Sequence, residues 1–251
     1  MGDNAKRYKL LEKRVRRVPS PELDRIILDV LAKRYKLLEK RGGVHLSTLN
    51  YCLTKGYLDQ KSPIKPTDTE LLNFATGYGL QELLFPADEA VYEKDGVTYR
   101  PDGTLQVRAG DVQKLIEIKS TRSGVKRYQE GSLPETWVTY MEGGCYIRGV
   151  ASYDLGVIYL SERPSARILS ETIYFDDIEI EANWKWILQR KDAFLKALEV
   201  ETPPLPFTTA PAWMCESCRY INVCNAITML NRRDQAEKDI KELWPEGGAV
   251  S

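Results

Sequence analysis

The sequence is poor in several features that mark common classes of protein. It has one histidine among 251 residues, and its 36 basic residues are balanced by 36 acidic ones. This balance gives no global electrostatic attraction to nucleic acid, so a nucleic-acid site must come from local clustering. We expect the single histidine, His45, to be an ordinary surface or core residue and not a metal ligand.

Long apolar stretches are also missing. No run approaches the roughly 20 apolar residues of a membrane-spanning helix, and the charged N-terminus lacks the apolar core of a signal peptide. We therefore predict a cytoplasmic protein that does not enter a membrane. Hydrophobic residues make up 43% of the chain, which suits one folded domain with an appendage. Five cysteines, three of them clustered, suit a metal site in a reducing compartment better than a disulfide framework.

Residues 115–121, LIEIKST, alternate with a period of two and predict a strand. Ile116 and Ile118 would face a core, and Glu117 and Lys119 would share the opposite face. A carboxylate and an ammonium group placed in this way can both point into one cleft. The simpler alternative is an ordinary amphipathic strand with a surface ion pair.

A second acid stands upstream of this strand. Asp102 lies in a Pro-Asp-Gly turn that feeds a short apolar-rich segment, and such a hairpin would bring it beside Glu117. Two carboxylates there could hold Mg²⁺ or Mn²⁺, while Lys119 orients a water or stabilises charge on a phosphate. Asp111 competes for the role of first acid, but it is only six residues from Glu117, so we prefer Asp102.

The cysteines form the second pattern. Cys215, Cys218 and Cys224 follow a C-x2-C-x5-C spacing, and Cys52 lies far upstream. Together with the Pro-Asp and Glu-x-Lys motifs, in this order, they resemble the RecB-like nucleases that carry an iron–sulfur cluster. The nearest resemblance is to the CRISPR-associated RecB-like exonucleases (Cas family four) of the PD-(D/E)xK superfamily, and it spans residues 44–226.

The resemblance implies an α/β fold, with a RecB-like nuclease core of mixed sheet flanked by helices and an iron–sulfur-bound helical appendage. It implies a metal-dependent DNA exonuclease acting on single-stranded ends, with CRISPR adaptation proteins or a helicase as further partners. Asp102 and Glu117 would bind the metal, with the carbonyl of Ile118 as a third ligand, and Lys119 would position the attacking water. The four ligands of a 4Fe–4S cluster would be Cys52, Cys215, Cys218 and Cys224.

Two positions depart from the family pattern. Gln81 stands where the family has a metal-binding histidine, so that it could offer only a weaker, neutral oxygen ligand. Thr136 stands where a glutamine is expected, four residues before the matching Tyr140. These departures leave open a DNA-binding subunit with a decayed catalytic site. Since four thiolates also satisfy tetrahedral zinc, a structural zinc protein is the other alternative.

A basic loop follows the Glu-x-Lys strand directly and is the best candidate for contacting a DNA strand. The residues predicted to bind DNA are Arg122, Lys126, Arg127 and Tyr140.

The chain is predicted to have three segments: a basic helical arm at residues 1–43, the nuclease core at 44–200 and a cysteine segment with a helix at 201–251. Within the arm, residues 5–14 recur unchanged at residues 32–41, which indicates a local duplication. Successive antiparallel strands are predicted at residues 91–93, 97–99, 104–107 and 112–120, and further strands at 156–160 and 172–175. Helices are predicted from Ser20, Ser47 and Thr67 as caps, and at residues 134–141, 178–198 and 229–244.

Overall fold

The structure is a computed structural model that describes residues 19–38, 43–85, 90–105, 113–126, 133–204 and 212–243. The competing acid Asp111, the predicted DNA contact Arg127 and the first copy of the repeat lie outside the described residues. The chain divides into two units, Met1–Glu39 and Lys40–Ser251.

The described part of the first unit is helix α1, Pro21–Leu38. It begins where the sequence predicts, after Ser20, with proline at the first helical position and the acidic residues Glu22 and Asp24 in the first turn. The apolar stripe of this helix is largely exposed, with 47% to 54% of the surface of its members accessible. These members are Leu23, Ile26, Ile27 and Val30.

The second unit is a mixed α/β structure. Its described strands are β1 Val44–His45, β2 Tyr92–Lys94, β3 Val97–Tyr99, β4 Gly103–Leu105, β5 Lys114–Thr121, β6 Ser152–Tyr159 and β7 Arg167–Tyr174. Its described helices are α2 Leu46–Asn50, α3 Leu53–Lys61, α4 Asp68–Leu84, α5 Glu135–Arg148, α6 Asp177–Glu199, α7 Ala212–Glu216 and α8 Ile221–Leu243. Among the described residues, no helix is long and apolar enough to cross a membrane.

The strands form two sheets. The central sheet has the order β4-β5-β6-β7, with β5 and β6 parallel and the other pairs antiparallel. A smaller sheet has the order β1-β3-β2. The predicted hairpin between β2 and β3 is confirmed, and its turn residues Asp95 and Gly96 both have positive φ.

The predicted succession of antiparallel strands is wrong at one junction, because β3 and β4 belong to different sheets. Pro101 lies at this junction, and a proline has no N–H to continue a ladder. Asp102 is therefore placed where the chain passes from one sheet to the other. The antiparallel pairing of β4 with β5 is as predicted.

The main core lies on the same face of the central sheet as Glu117. Leu115 pairs with Tyr153, and Glu117 pairs with Leu155, so all four side chains share that face. Helix α5 packs on β5 and β6, and α6 packs on α5. Ile116 and the carboxylate do lie on opposite faces, but the prediction that the isoleucine side holds the core is wrong: the larger core is on the carboxylate side.

The helix caps agree with the sequence in one case and differ in another. Thr67 caps α4 in a capping box with Glu70, as predicted from the sequence. Ser47 is not a cap, because the chain before α2 is extended and His45 occupies the N-cap position without a side-chain hydrogen bond. The long helix predicted at residues 178–198 is confirmed as α6, with Trp184 and Phe194 buried in the core.

Candidate active site and cysteine cluster

The acids Asp102 and Glu117 lie side by side at the end of the β4–β5 ladder. Gly103 pairs with Ile116 in the antiparallel ladder. Asp102, which precedes Gly103, therefore lies opposite Glu117, which follows Ile116. Asp102 Oδ2 accepts a hydrogen bond of 2.8 Å from the backbone N–H of Ile118. This bond fixes the aspartate against the strand that carries Glu-x-Lys, as the sequence predicted.

Glu117 is buried, with 2% of its surface exposed, and both of its oxygens have partners. Lys119 Nζ donates to Oε1, and the hydroxyl of Tyr153 donates to Oε2 over 3.3 Å. The ammonium group of Lys119 also lies 5.6 Å from the centre of the Tyr140 ring. The pair is thus enclosed by protein instead of forming a surface ion pair.

Burial governs the ionisation of these groups. Burial first and the neighbouring Asp102 second raise the pKa of Glu117, Lys119 and Tyr153 lower it, and the net result is a pKa of about 7. For Lys119, burial is the largest single influence and lowers the pKa, but the combined effect of Glu117, Tyr51 and Asp102 outweighs it and the net shift is upward. A divalent cation would relieve the crowding of the two carboxylates and the raised pKa of Glu117, so the donor set fits a metal ion.

The backbone of Ile118 faces the side of β5 on which Asp102 lies. Its N–H points toward Asp102, beyond the end of β4, and the C=O of a strand residue points to the same side as its N–H. By contrast, the carbonyl of Thr121 points toward β6, where it accepts a hydrogen bond from Leu160. The alternation along β5 therefore turns the Ile118 carbonyl toward the side where Asp102 lies.

Gln81 lies in the last turn of α4, and its carbonyl accepts the N–H of Phe85. Phe85 packs over Gly103, where an added Cβ would come within 2.7 Å of the ring. Since Gly103 pairs with Ile116, this contact is on the face of the sheet opposite to Glu117. Whether the Gln81 side chain reaches the metal site stays a prediction.

The predicted DNA contacts divide into exposed and enclosed residues. Arg122 and Lys126 are exposed on the loop that follows β5. This loop is held by Glu162, whose carboxylate accepts the N–H of Val125 over 2.9 Å. Tyr140 instead lies inside the site, where its hydroxyl donates to the carbonyl of Arg100 over 3.1 Å.

Thr136, the other departure from the family pattern, is buried under α2. Its carbonyl accepts a 2.7 Å hydrogen bond from Asn50 Nδ2, and Thr139 donates to the Oδ1 atom of the same asparagine. These bonds tie α5 to the end of α2, immediately before Cys52.

The four predicted cluster cysteines converge. Each pair among them is close enough for one thiolate to raise the pKa of the other, so Cys52 of the N-terminal half lies near the three cysteines of the C-terminal segment. Burial first, and then the other three thiols, raise the pKa of Cys224 to about 11. Thiols that resist ionisation when alone need a bound cation to become thiolates together, so the set fits a metal or cluster.

Local hydrogen bonds prepare this arrangement. The N–H of Cys218 donates to the carbonyl of Cys215 over 3.1 Å, and the N–H of Tyr220 donates to the Cys218 sulfur over 3.5 Å. In the described ranges, no group of three or more His, Cys, Asp or Glu side chains is placed to hold a metal ion. The four thiols are thus close enough to affect one another's pKa, but the structure does not show them as a set of metal ligands.

Cys145 is separate from this group, as predicted. It is fully buried, and burial raises the pKa of its thiol to about 12.

Three tyrosines around the carboxylates were not singled out from the sequence. Tyr99 and Tyr153 are buried with their hydroxyl groups hydrogen-bonded to each other. Tyr51 interacts electrostatically with Lys119 and Glu117. A tyrosine in a predicted strand is usually an ordinary core residue, so the residue type of Tyr99 and Tyr153 gave no sign of a role at the site. For Tyr51, the signal was its position next to Cys52.

No protein-family model matches this sequence, and no curated protein sequence matches it significantly. Among solved structures the chain is similar to the crystal structure of SSO0001, with 14% identity, a TM-score of 0.49 and coverage of 82% of this chain and 97% of that chain. It is also similar to the alkaline exonuclease LHK-Exo from Laribacter hongkongensis, with 16% identity, a TM-score of 0.42 and coverage of 64% and 89%. For a phage-related exonuclease from Haemophilus somnus 129PT the values are 10%, 0.43, 64% and 96%. At these TM-scores the function has to be argued from the site itself.

Proposed function

We propose that the protein is a divalent-metal-dependent nuclease that hydrolyses phosphodiester bonds in DNA. The observation that carries this proposal is the placement of Asp102 beside Glu117, with Lys119 against the same carboxylate. Paired carboxylates and an ammonium group on neighbouring strands are the groups that metal-assisted phosphate hydrolysis uses.

Asp102 and Glu117 would hold Mg²⁺ or Mn²⁺, and the Ile118 carbonyl is turned to the side of Asp102. A bound divalent ion would supply Lewis-acid activation of the phosphate and of a coordinated water. Lys119 cannot be a ligand, because an ammonium group has no lone pair. Its role in the proposal is to position the attacking water and to stabilise charge on the phosphate.

The exposed residues Arg122 and Lys126 follow the site directly and are suited to contact the phosphate backbone of the DNA. Preference for single-stranded ends, membership of the Cas family and partnership with CRISPR adaptation proteins or a helicase are implied by the motif resemblance alone. They belong to the proposal and not to the geometry.

A nuclease assay tests the proposal. End-labelled single-stranded DNA and closed circular DNA are incubated with the full chain in Mg²⁺ or Mn²⁺, with EDTA as the metal-free control. We expect metal-dependent loss of the end label, with circular DNA intact, and at least about a thousandfold loss in Glu117→Gln, because several kcal/mol of stabilisation disappear with the metal. Equal cleavage by the wild type and Glu117→Gln would disprove the assignment.

We also propose that the cysteine group holds a 4Fe–4S cluster. Four converging thiols from Cys52, Cys215, Cys218 and Cys224 support this, and the cluster would join the segment after α6 to the turn between α2 and α3. A tetrahedral zinc ion would use the same four thiolates. Anaerobic purification separates the two: iron with visible absorption supports the cluster, and stoichiometric zinc without iron contradicts it.

A further inference from the structure

Glu117 is held by a group that neither the motifs nor the proposed chemistry assign. Tyr153, on the neighbouring strand β6, donates its hydroxyl to Glu117 Oε2 over 3.3 Å. Lys119 binds the other oxygen, Oε1. With one partner on each oxygen, the plane of the carboxylate is fixed from two sides.

A second tyrosine gives this contact a direction. The hydroxyl groups of Tyr99 and Tyr153 are hydrogen-bonded to each other. A phenol has one proton to donate, and a carboxylate can only accept. Because Tyr153 donates to Glu117, it must accept from Tyr99, and the chain of donors runs from Tyr99 through Tyr153 to the acid.

The two hydrogen-bonded tyrosines lie inside the core. Tyr99 and Tyr153 have 0% and 1% of their surface exposed. The hydroxyl end of Tyr99 lies against Gly144 of α5, where an added Cβ would be 2.7 Å from its Oη atom. Phenylalanine would fill these places without the need to satisfy buried hydroxyl groups, so the hydroxyls indicate a task beyond packing.

We propose that Tyr153, supported by Tyr99, is a positioning residue that holds the Glu117 carboxylate in the orientation needed to bind a divalent metal ion. This inference rests on the proposed nuclease function, and it deepens the account of the same site. Partners that hydrogen-bond a metal-binding carboxylate typically contribute about 10- to 100-fold in metal affinity. Neither tyrosine takes part in the chemistry; both act through Glu117.

The test measures Mn²⁺ binding without DNA, by following free Mn²⁺ in electron paramagnetic resonance titrations of the full chain. We expect Tyr153→Phe to weaken Mn²⁺ binding by about tenfold or more, and Tyr99→Phe by a smaller factor of about threefold. Tyr57→Phe, which alters a buried tyrosine of α3, is the matched control and should bind as the wild type does. Cleavage by Tyr153→Phe should recover when Mn²⁺ is raised, with little change in thermal midpoint.

Wild-type Mn²⁺ affinity in Tyr153→Phe, or an equal loss in Tyr57→Phe, would overturn the positioning role. If Tyr153→Phe does not fold, Tyr99→Phe decides, and unchanged binding in that variant overturns the role. A wild-type chain that binds Mn²⁺ and cleaves DNA while Tyr153→Phe is unaffected overturns only this inference. A wild-type chain that binds no Mn²⁺ overturns the nuclease proposal together with it.

Discussion

At the scale of single residues, the site is defined by the burial of Glu117 and the partial burial of Lys119, whose side chains are 3% and 19% exposed. The sequence indicated that they share one face of a strand, and that is correct. The sequence could not show that this face is the buried one, because LIEIKST carries apolar side chains on both faces. Leu115 lies on the face of Glu117, and the two isoleucines lie on the other. The tyrosines that complete the surroundings come from β3 and β6, whose positions depend on the sheet order.

The enclosed ion pair leads to a prediction for Lys119→Met. Methionine keeps most of the volume of the side chain but removes the ammonium group that binds Glu117. We expect cleavage to fall by about a hundredfold or more, since charge stabilisation at the phosphate is lost. Mn²⁺ binding should stay equal or become tighter, because the cation that competes for Glu117 is gone.

Titration with Mn²⁺ and single-turnover cleavage measure the two effects separately. Asp102→Asn is the contrasting variant, since it should lose metal binding and cleavage together. A Lys119→Met variant that loses metal binding as Asp102→Asn does would show that the lysine maintains the site's structure and does not act on the phosphate.

At the scale of elements, local signals predicted several helices but not all: α3 was not predicted, and Ser47 is not a cap. The capping box of α4, the proline at the start of α1 and the periodicity of α6 all depend on contacts within one segment. The division of the strands into two sheets was not predictable in this way. Strands β5 and β6 are parallel and are connected through α5, so no tight turn between them marks their pairing in the sequence.

Helix α4 carries Gln81 and so decides how far the family pattern applies. We predict that Gln81→His raises cleavage and shifts the metal preference toward Mn²⁺, because imidazole nitrogen binds Mn²⁺ more readily than Mg²⁺. Gln81→Ala should cost less than loss of either acid, since a water can take the place of a neutral ligand. Cleavage rates in both metals test this, and no change in either variant would show that α4 does not reach the metal.

Helix α5 contains a buried acid outside the site, Glu142. Burial and, to a lesser extent, the neighbouring Glu179 raise its pKa to about 7. The unfolded chain releases this proton near pH 4.3, so the folded state binds more protons between about pH 4 and 7. The contribution of this group to stability is therefore fully present below pH 4 and is lost as the pH rises to 7.

Glu142→Gln should remove this loss, because a neutral amide mimics the protonated acid. We expect the variant to be more stable than the wild type by about 1–3 kcal/mol at pH 8, with a smaller or no advantage at pH 4. Denaturant unfolding at both pH values measures the difference. Glu179→Gln should give a smaller gain, and a Glu142→Gln variant that is less stable at pH 8 would contradict the prediction.

At the scale of the whole molecule, the cysteine group joins segments that are distant in the sequence. Cys52 lies at the start of α3, and the other three thiols lie in or beside α7 and α8. The spacing of three cysteines and the resemblance that added Cys52 predicted a common group, and the four thiols do lie near one another; that they hold a cluster stays a prediction. The contacts that bring them together were not predictable, such as the hydrogen bond from Thr54 to the carbonyl of Pro204 and the ion pair of Arg219 with Asp59.

This arrangement makes Cys224→Ser a test of long-range stabilisation. A cluster held by four thiolates stabilises only the folded chain, so its loss should lower the thermal midpoint by about 5 °C or more. The variant should also lose iron and visible absorption after anaerobic purification. Cys145→Ala is the matched control, because its thiol is buried apart from the group and donates to the carbonyl of Ser152 over 3.7 Å. It should keep its iron with only a modest loss of stability. Iron retained in Cys224→Ser, or lost in Cys145→Ala, would show that the cluster is held by a different set of ligands.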